Sequence, residues 1–242
     1  AASDVYKRQI QGFLDRRLYL PQDWCEDRSR CEKAQIPEAV RSFKTKPELA
    51  LEMLKQAWSE GIRLNWVTGD SLYGNSPSFR KGINDQSRNY VLALGMKHKL
   101  DYQAKSQRID QLLNDLPDAA WTVNTERATE SGLLKEQWAC LRVSFDSQEQ
   151  WLIFRSSRQG VETYLSNAPE ATDNTQLINV ILARHAIEHC FQEAKSELGL
   201  ADYEVRYFHA WLRHITLFFL AHCFFALCRQ KKRQKKLSAT FR

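Results

Sequence analysis

No two of the six cysteines form a Cys-x-x-Cys pair, and no cysteine or histidine cluster has zinc-finger spacing. Cys190, Cys223 and Cys228 lie in apolar helical patterns, where a free thiol behaves as a small hydrophobe. A reducing, cytoplasmic setting without disulfides is expected. Glycine and proline are sparse, nine and six in 242 residues, so no flexible linker marks a domain boundary. The first residues, AASDVYKRQ, hold no apolar stretch and do not read as a signal peptide. The longest apolar run, ITLFFLAHCFFALC at 215–228, is fourteen residues long and contains His222. A bilayer span needs about 20 apolar residues, so a buried core helix and no membrane partner are expected. Acidic residues are missing altogether after Glu204.

What is present is an ample core: 43% apolar residues with seven Trp and twelve Phe, enough for one large domain or two small ones. The net charge of +6 is unevenly placed. Seven basic residues follow from Arg229 onward, which leaves residues 1–228 at about −1. This tail at 229–242 is either a solvated terminus or an electrostatic foot for phosphates.

Apolar periodicity gives the order of elements. IQGFLDRRLYLP (10–21) alternates roughly and reads as a strand stopped by Pro21. TKPELALEMLKQAWSEG (45–61) repeats Leu51, Leu54 and Trp58 at helical spacing and closes on Gly61. IRLNWVTGD (62–70) is a short strand ending on an acid; SPSFRKGINDQ (76–86) is a helix with Pro77 in its first turn; NYVLALG (89–95) is an apolar strand of the kind buried in a parallel sheet. Four strand-like runs separated by polar turns fill 120–168, and two long helices follow over 174–199 and 203–232. The expected fold class is α/β: a mixed sheet with flanking helices, a β-rich insertion and a C-terminal helical segment.

The motif RHAIEHCFQEAK (184–195) contains the His-x-x-Glu-His order of inverted zinc peptidases, with His185 and His189 on one helix face. That plan needs a further ligand from a downstream helix, and no carboxylate follows Glu204. The ordinary reading is two partly buried histidines with satisfied hydrogen bonds. A second pattern overlaps the first. Arg184, Glu188 and Lys195 sit at i, i+4 and i+11, offsets of roughly 40° and 20° around a helix from the first, so all three share one stripe. A carboxylate flanked by two cations suits a metal ion beside a phosphodiester. It equally suits a surface ladder of ion pairs.

The string Arg-x3-Glu-x6-Lys resembles the signature around the last acid of DDE-type insertion-sequence transposases. ELGLADYEVRYFHAWLRHITLFFLAH (197–222), LYLPQDW (18–24), TKPELALEML (45–54), WVTGDSLYGN (66–75) and YVLAL (90–94) are similar to one subgroup of that family, in the same order. The resemblance covers about Gly12 to Leu227. It implies a ribonuclease H-like mixed sheet. It also implies Asp70 and Glu188 as the second and third metal-binding acids, and two Mg²⁺ or Mn²⁺ ions in the intact enzyme. Arg184 and Lys195 are implied to contact double-stranded DNA at transposon ends and target, and Tyr73 of the Asp-x-x-Tyr-Gly string to orient the site. The implied activity is metal-dependent DNA strand cleavage and strand transfer, in a homo-oligomer that holds two ends together.

Some positions depart from the family pattern. Ile181 stands where a tyrosine often precedes the arginine, and His185 where an aromatic often follows it. The first catalytic aspartate has no counterpart: Asp15 lies in the 10–21 run, which resembles a later strand, and Asp4 lies in a stretch that resembles nothing in the family. The expectation is therefore an N-terminally truncated, inactive fragment. It divides into a partial core (1–99), an antiparallel β insertion (100–172), C-terminal catalytic and core helices (173–228) and the basic tail (229–242). Trp121, Trp138 and Trp151 of the insertion are expected in its core. A non-catalytic DNA-binding remnant is the alternative, and a zinc metallopeptidase the last.

Overall fold

A computed structural model of the protein describes residues 12–129 and 132–240; side chains at 127–134, 185, 186, 189 and 232–240 lie outside that description. The chain forms two compact units, 46–182 and 1–45 with 183–242.

In the first unit, helix α3 (Lys46–Ser59) leads to strand β1 (Trp66–Gly69), two short helices α4 (Ser71–Gly74) and α5 (Pro77–Asn84), and strand β2 (Asn89–Ala93). The expected helix, strand, helix, strand order over 45–95 is present. β1 and β2 pair in parallel, Val67 opposite Tyr90 and Gly69 opposite Leu92. Their connection runs through α4 and α5, because parallel neighbours need a crossover. Hairpin strands β3 (Lys99–Tyr102) and β4 (Lys105–Arg108), helix α6 (Ile109–Asn114), and β5 (Val123–Thr129), β6 (Gly132–Phe145), β7 (Gln148–Ser157) and β8 (Gly160–Ser166) complete the unit's strands. All eight strands make one sheet in the order β1-β2-β8-β7-β6-β3-β4, with β5 also on β6. At fourteen residues β6 is long enough for two partners in succession, β5 along 132–138 and β3 at Ser144.

Strand alternation divides the core between the two sheet faces. Tyr90, Leu92, Leu152, Phe154 and Leu165 point to one face, where Leu51, Leu54 and Trp58 of α3 and Phe79 and Ile83 of α5 cover them. Val91, Trp151, Ile153 and Tyr164 point to the other and meet Leu177, Ile178 and Ile181 from the start of helix α7 (Asn174–Glu197). The fold is the mixed α/β sheet expected. Trp138 and Trp151 are buried, and Trp121 packs half-buried against the core. Two charged groups, Arg155 and Glu136, are buried in the insertion and pair with each other; Arg155 also meets Glu162 at 2.8 Å, and Glu162 accepts from the Tyr164 hydroxyl at 3.0 Å.

The second unit holds helices α1 (Gln22–Glu26) and α2 (Arg28–Lys33), a 3-10 turn at Glu38–Val40, the part of α7 after Leu182, and α8 (Phe208–Thr240). Residues 12–21 carry no strand, contrary to expectation, and residues 10 and 11 lie outside the description. Their apolar side chains are satisfied by helices instead. Leu20 joins Cys31, Ala34 and Ile36, with Trp24 and Phe208 against them. Phe13 sits edge-on to Phe191 at 5.2 Å, Phe218 at 5.3 Å and His222 at 4.8 Å. Arg16 donates to the Thr216 hydroxyl at 2.8 Å. The Phe208 amide donates to the Ala34 carbonyl at 2.9 Å.

α8 departs from expectation twice. It runs to Thr240, so the basic residues from Arg229 to Lys236 stand on a helix. Lys, Arg, Gln, Leu and Ala all propagate helix well, which accounts for the extension. It is also buried along one stripe only: Ile215, Phe218 and His222 are covered, while Leu217, Leu220, Phe224 and Leu227 are exposed. Over Phe208–Lys231 it is long and apolar enough to cross a membrane by length and composition. All six cysteines are free.

Burial holds the His222 imidazole below its ordinary pKa; Arg229 pushes the same way and Glu193 opposes. The folded chain therefore binds this proton less readily than the unfolded chain. The stability is present above the unfolded histidine value and lost as pH falls through it. Acidifying from pH 7.5 to 5.5 should lower the Tm. His222→Gln should flatten that slope in a thermal melt, leaving the part due to His98, whose pKa burial also lowers.

Candidate functional site

β1 ends at Gly69 and the chain turns at once. Asp70 stays extended (φ −77°, ψ −175°) and caps α4, its Oδ1 accepting from the Leu72 amide at 2.9 Å. An aspartate is suited to this task because its short carboxylate reaches an amide two residues on. The Asp70 carbonyl accepts from the amides of Tyr73 at 3.1 Å and Gly74 at 3.0 Å, which closes the turn. The carboxylate is exposed, and among the described residues its Oδ2 takes no hydrogen bond.

Tyr73 turns inward, packing at 5.4 Å against Phe79, and its hydroxyl pKa is raised by burial first and the Asp70 charge second. Gly74 lies directly on β2. A Cβ built there would come within 1.8 Å of the Ala93 carbonyl oxygen. Only glycine lets the turn sit so close, and this fixes Asp70 relative to the sheet.

Four side chains that sequence reasoning missed form contacts around this turn. Arg80 is 4% exposed and donates Nη1 to the Gly74 carbonyl, while its Nη2 lies 2.5 Å from Asp146 Oδ2 in the β6–β7 turn. Asn75 Oδ1 accepts from the Gly95 amide at 2.9 Å and lies 3.0 Å from His98 Nε2. No local sequence signal marks Arg80, whose partner Asp146 lies 66 residues away.

Arg184, Glu188 and Lys195 all lie on α7. Glu188 and Lys195 are exposed and Arg184 is half-buried. One turn on, Glu193 binds Arg229 through both oxygens, at 2.8 and 2.7 Å. The first residue of the basic run is thus engaged within its own unit. Asp70 and Tyr73 belong to the 46–182 unit, and Arg184, Glu188 and Lys195 to the other. The side chains of His185 and His189 lie outside the described residues, and among those described no group of three His, Cys, Asp or Glu is placed to hold a metal.

The DDE superfamily endonuclease family matches residues 5–111, a stretch that includes Asp70 and Tyr73. Over that stretch the chain is similar to DDE-type endonucleases. Over 184 residues it is 23% identical to a probable transposase for insertion sequence element IS701 of Microchaete diplosiphon, an alignment covering 71% of this chain and 44% of that protein. The chain thus spans less than half the length of this curated relative. Its mixed sheet is consistent with the ribonuclease H-like fold of DDE enzymes.

Gly74→Ala tests how tightly the Asp70 turn is fixed. Overpacking of this kind costs about 1–3 kcal/mol. A clear drop in urea midpoint is expected, and an unchanged midpoint would show that the turn can move away from β2.

Proposed function

We propose that this chain carries two of the metal-binding carboxylates of a DNA strand-cleaving and strand-transferring transposase, Asp70 and Glu188. The observation that carries the reading is the Asp70 turn. The acid stands at the end of a parallel strand, inside the family-matched segment, with one oxygen fixed by Leu72 and the other without a hydrogen bond.

Each carboxylate is of the chemical type that a hard divalent cation takes. Asp70 and Glu188 are exposed carboxylates, and Mg²⁺ or Mn²⁺ prefers oxygen ligands and retains several waters. When bound, such ions supply charge neutralisation for in-line displacement at phosphorus. The chain's own residues do the positioning. The Leu72 amide orients the Asp70 carboxylate, and Tyr73 buttresses the turn from the core side. Arg184 and Lys195, on one stripe with Glu188, hold phosphates of double-stranded DNA, the arginine by its fork and the lysine as a point charge. The transposon ends and target are the substrate, and a homo-oligomer holds two ends together.

A DNA-binding role without cleavage is the second reading, and it is favoured by the helical display of basic residues along the end of α8. The two separate in one pair of assays, Mn²⁺ binding by the chain, which only the first reading requires, and salt-dependent DNA binding, which both allow.

Asp70→Asn and Glu188→Gln should each weaken Mn²⁺ binding, read by electron paramagnetic resonance of the free ion, by about tenfold or more, since each removes a charged oxygen ligand. Unchanged titrations for either variant would remove that residue from the site. Arg184→Ala and Lys195→Ala should each reduce the slope of log K against log salt for duplex DNA by about 0.9, the value of one phosphate contact. An unaltered slope would return these residues to a surface ladder.

A further inference from the structure

We propose that Arg80 is a positioning residue for the Asp70 carboxylate, and that the turn between β6 and β7 holds Arg80 in place through Asp146. The proposal rests on the reading of Asp70 as a metal ligand and extends it to residues that lie outside the matched motif strings.

The chain of contacts is short. Gly74 is held from two directions: its amide donates to the Asp70 carbonyl at 3.0 Å, and its carbonyl accepts from Arg80 Nη1. The other end of the guanidinium meets Asp146 Oδ2 at 2.5 Å, and its face lies over the Phe145 ring, 5.1 Å from the centroid. Asp146 and Ser147 both have positive φ, 50° and 59°, and together form the two-residue turn that joins β6 to β7. Such a turn is stiff because its twist matches that of the flanking strands. The guanidinium therefore links a rigid hairpin to the backbone of the turn that carries the acid.

The energetics favour a geometric role over a stabilising one. Burying a cation against a partly exposed carboxylate gains little net stability, because desolvation offsets the attraction. A lysine could neutralise Asp146 but could not also serve the Gly74 carbonyl in the same plane, since only the planar fork presents two fixed donors. Arginine at position 80 is thus matched to holding two acceptors at a set separation. Residue 80 is six positions from Gly74 but 66 from Asp146, so the clamp ties the acid-bearing turn to the insertion.

The test uses the full chain and three variants: Asp146→Ala, Arg80→Lys and Asp70→Asn. Two readings are made on each, Mn²⁺ binding with the metal alone and amide hydrogen exchange at Leu72, Tyr73 and Gly74. Asp146 lies in an exposed turn, so its variant should keep the parental far-ultraviolet spectrum even if Arg80→Lys does not fold. In Asp146→Ala, exchange at those three amides should speed by about tenfold while α3 amides keep the parental rate, because opening of the turn is a local event. Mn²⁺ binding should weaken several-fold, and Asp146→Asn, which retains an acceptor, should restore most of both. If Asp70→Asn loses Mn²⁺ while Asp146→Ala binds and exchanges like the parent, the clamp is refuted and the metal reading stands. If Asp70→Asn binds Mn²⁺ like the parent, the metal reading fails, and the clamp as a device for positioning a metal ligand falls with it.

Discussion

The parallel pairing of β1 with β2 is the constraint from which the rest of the site follows. Each strand is short, four and five residues, so the pair cannot hold a register by length alone. It is held by what packs on it. Gly74 presses against the Ala93 carbonyl, and Leu92 lies beneath Gly69. Because side chains alternate along a strand, a slip of one residue would send Tyr90 and Leu92 to the wrong face and expose them. The register therefore fixes where β1 ends. The end of β1 in turn fixes where Asp70 leaves the sheet.

The insertion belongs to this arrangement physically, not only by position in the chain. β8 pairs with β2 through Val91–Ser166, Leu92–Leu165 and Ala93–Tyr164, so the strand behind the Asp70 turn is hydrogen-bonded on both edges. The Thr163 hydroxyl donates to the Leu94 carbonyl at 3.0 Å, and Asn167 Oδ1 accepts from the Tyr90 amide at 2.7 Å, extending the seam at both ends. An insertion built into the central sheet transmits displacement to β2 as a rigid body, because a sheet ladder yields far less to shear than a loop does. The loops that lie around Asp70 are thereby braced by long-range contacts whose sequence partners sit 60 residues or more away.

Much of the fold was legible because its signals are local. The helix at 46–59 announces itself by Leu51, Leu54 and Trp58, and β2 by an unbroken apolar run, since both patterns follow from which faces must be buried. The hairpin β3–β4 was not legible. KLDY and KSQR are polar, and only Leu100 and Gln107 are buried, so periodicity had nothing to read. The run at 12–21 misled in the opposite sense. Its alternation is real, but Phe13 and Leu20 meet helices instead of neighbouring strands, and alternation cannot distinguish the two. In the candidate site, Asp70 and Tyr73 were legible from a short motif and Arg80 was not, because its meaning depends on Asp146, a contact that no local window contains.

The distribution of carboxylates sorts structural from chemical use. Glu136 is 1% exposed and bound by Arg155, with its surroundings filled by Trp138 and Thr125. In that state both carboxylate oxygens are engaged, one by Arg155 and one by Thr125, and removing the arginine would leave a buried charge costing several kcal/mol. Asp70 is exposed at the end of β1, and Glu188 is exposed on α7. An acid that must take up a hydrated divalent ion has to keep that openness while its backbone is immobilised. At Asp70 the immobility comes from the turn's own hydrogen bonds, the glycine contact with β2 and the guanidinium behind it. At this turn rigidity is supplied from the core side and access is left on the solvent side: many buried contacts converge on a turn whose acid is itself exposed.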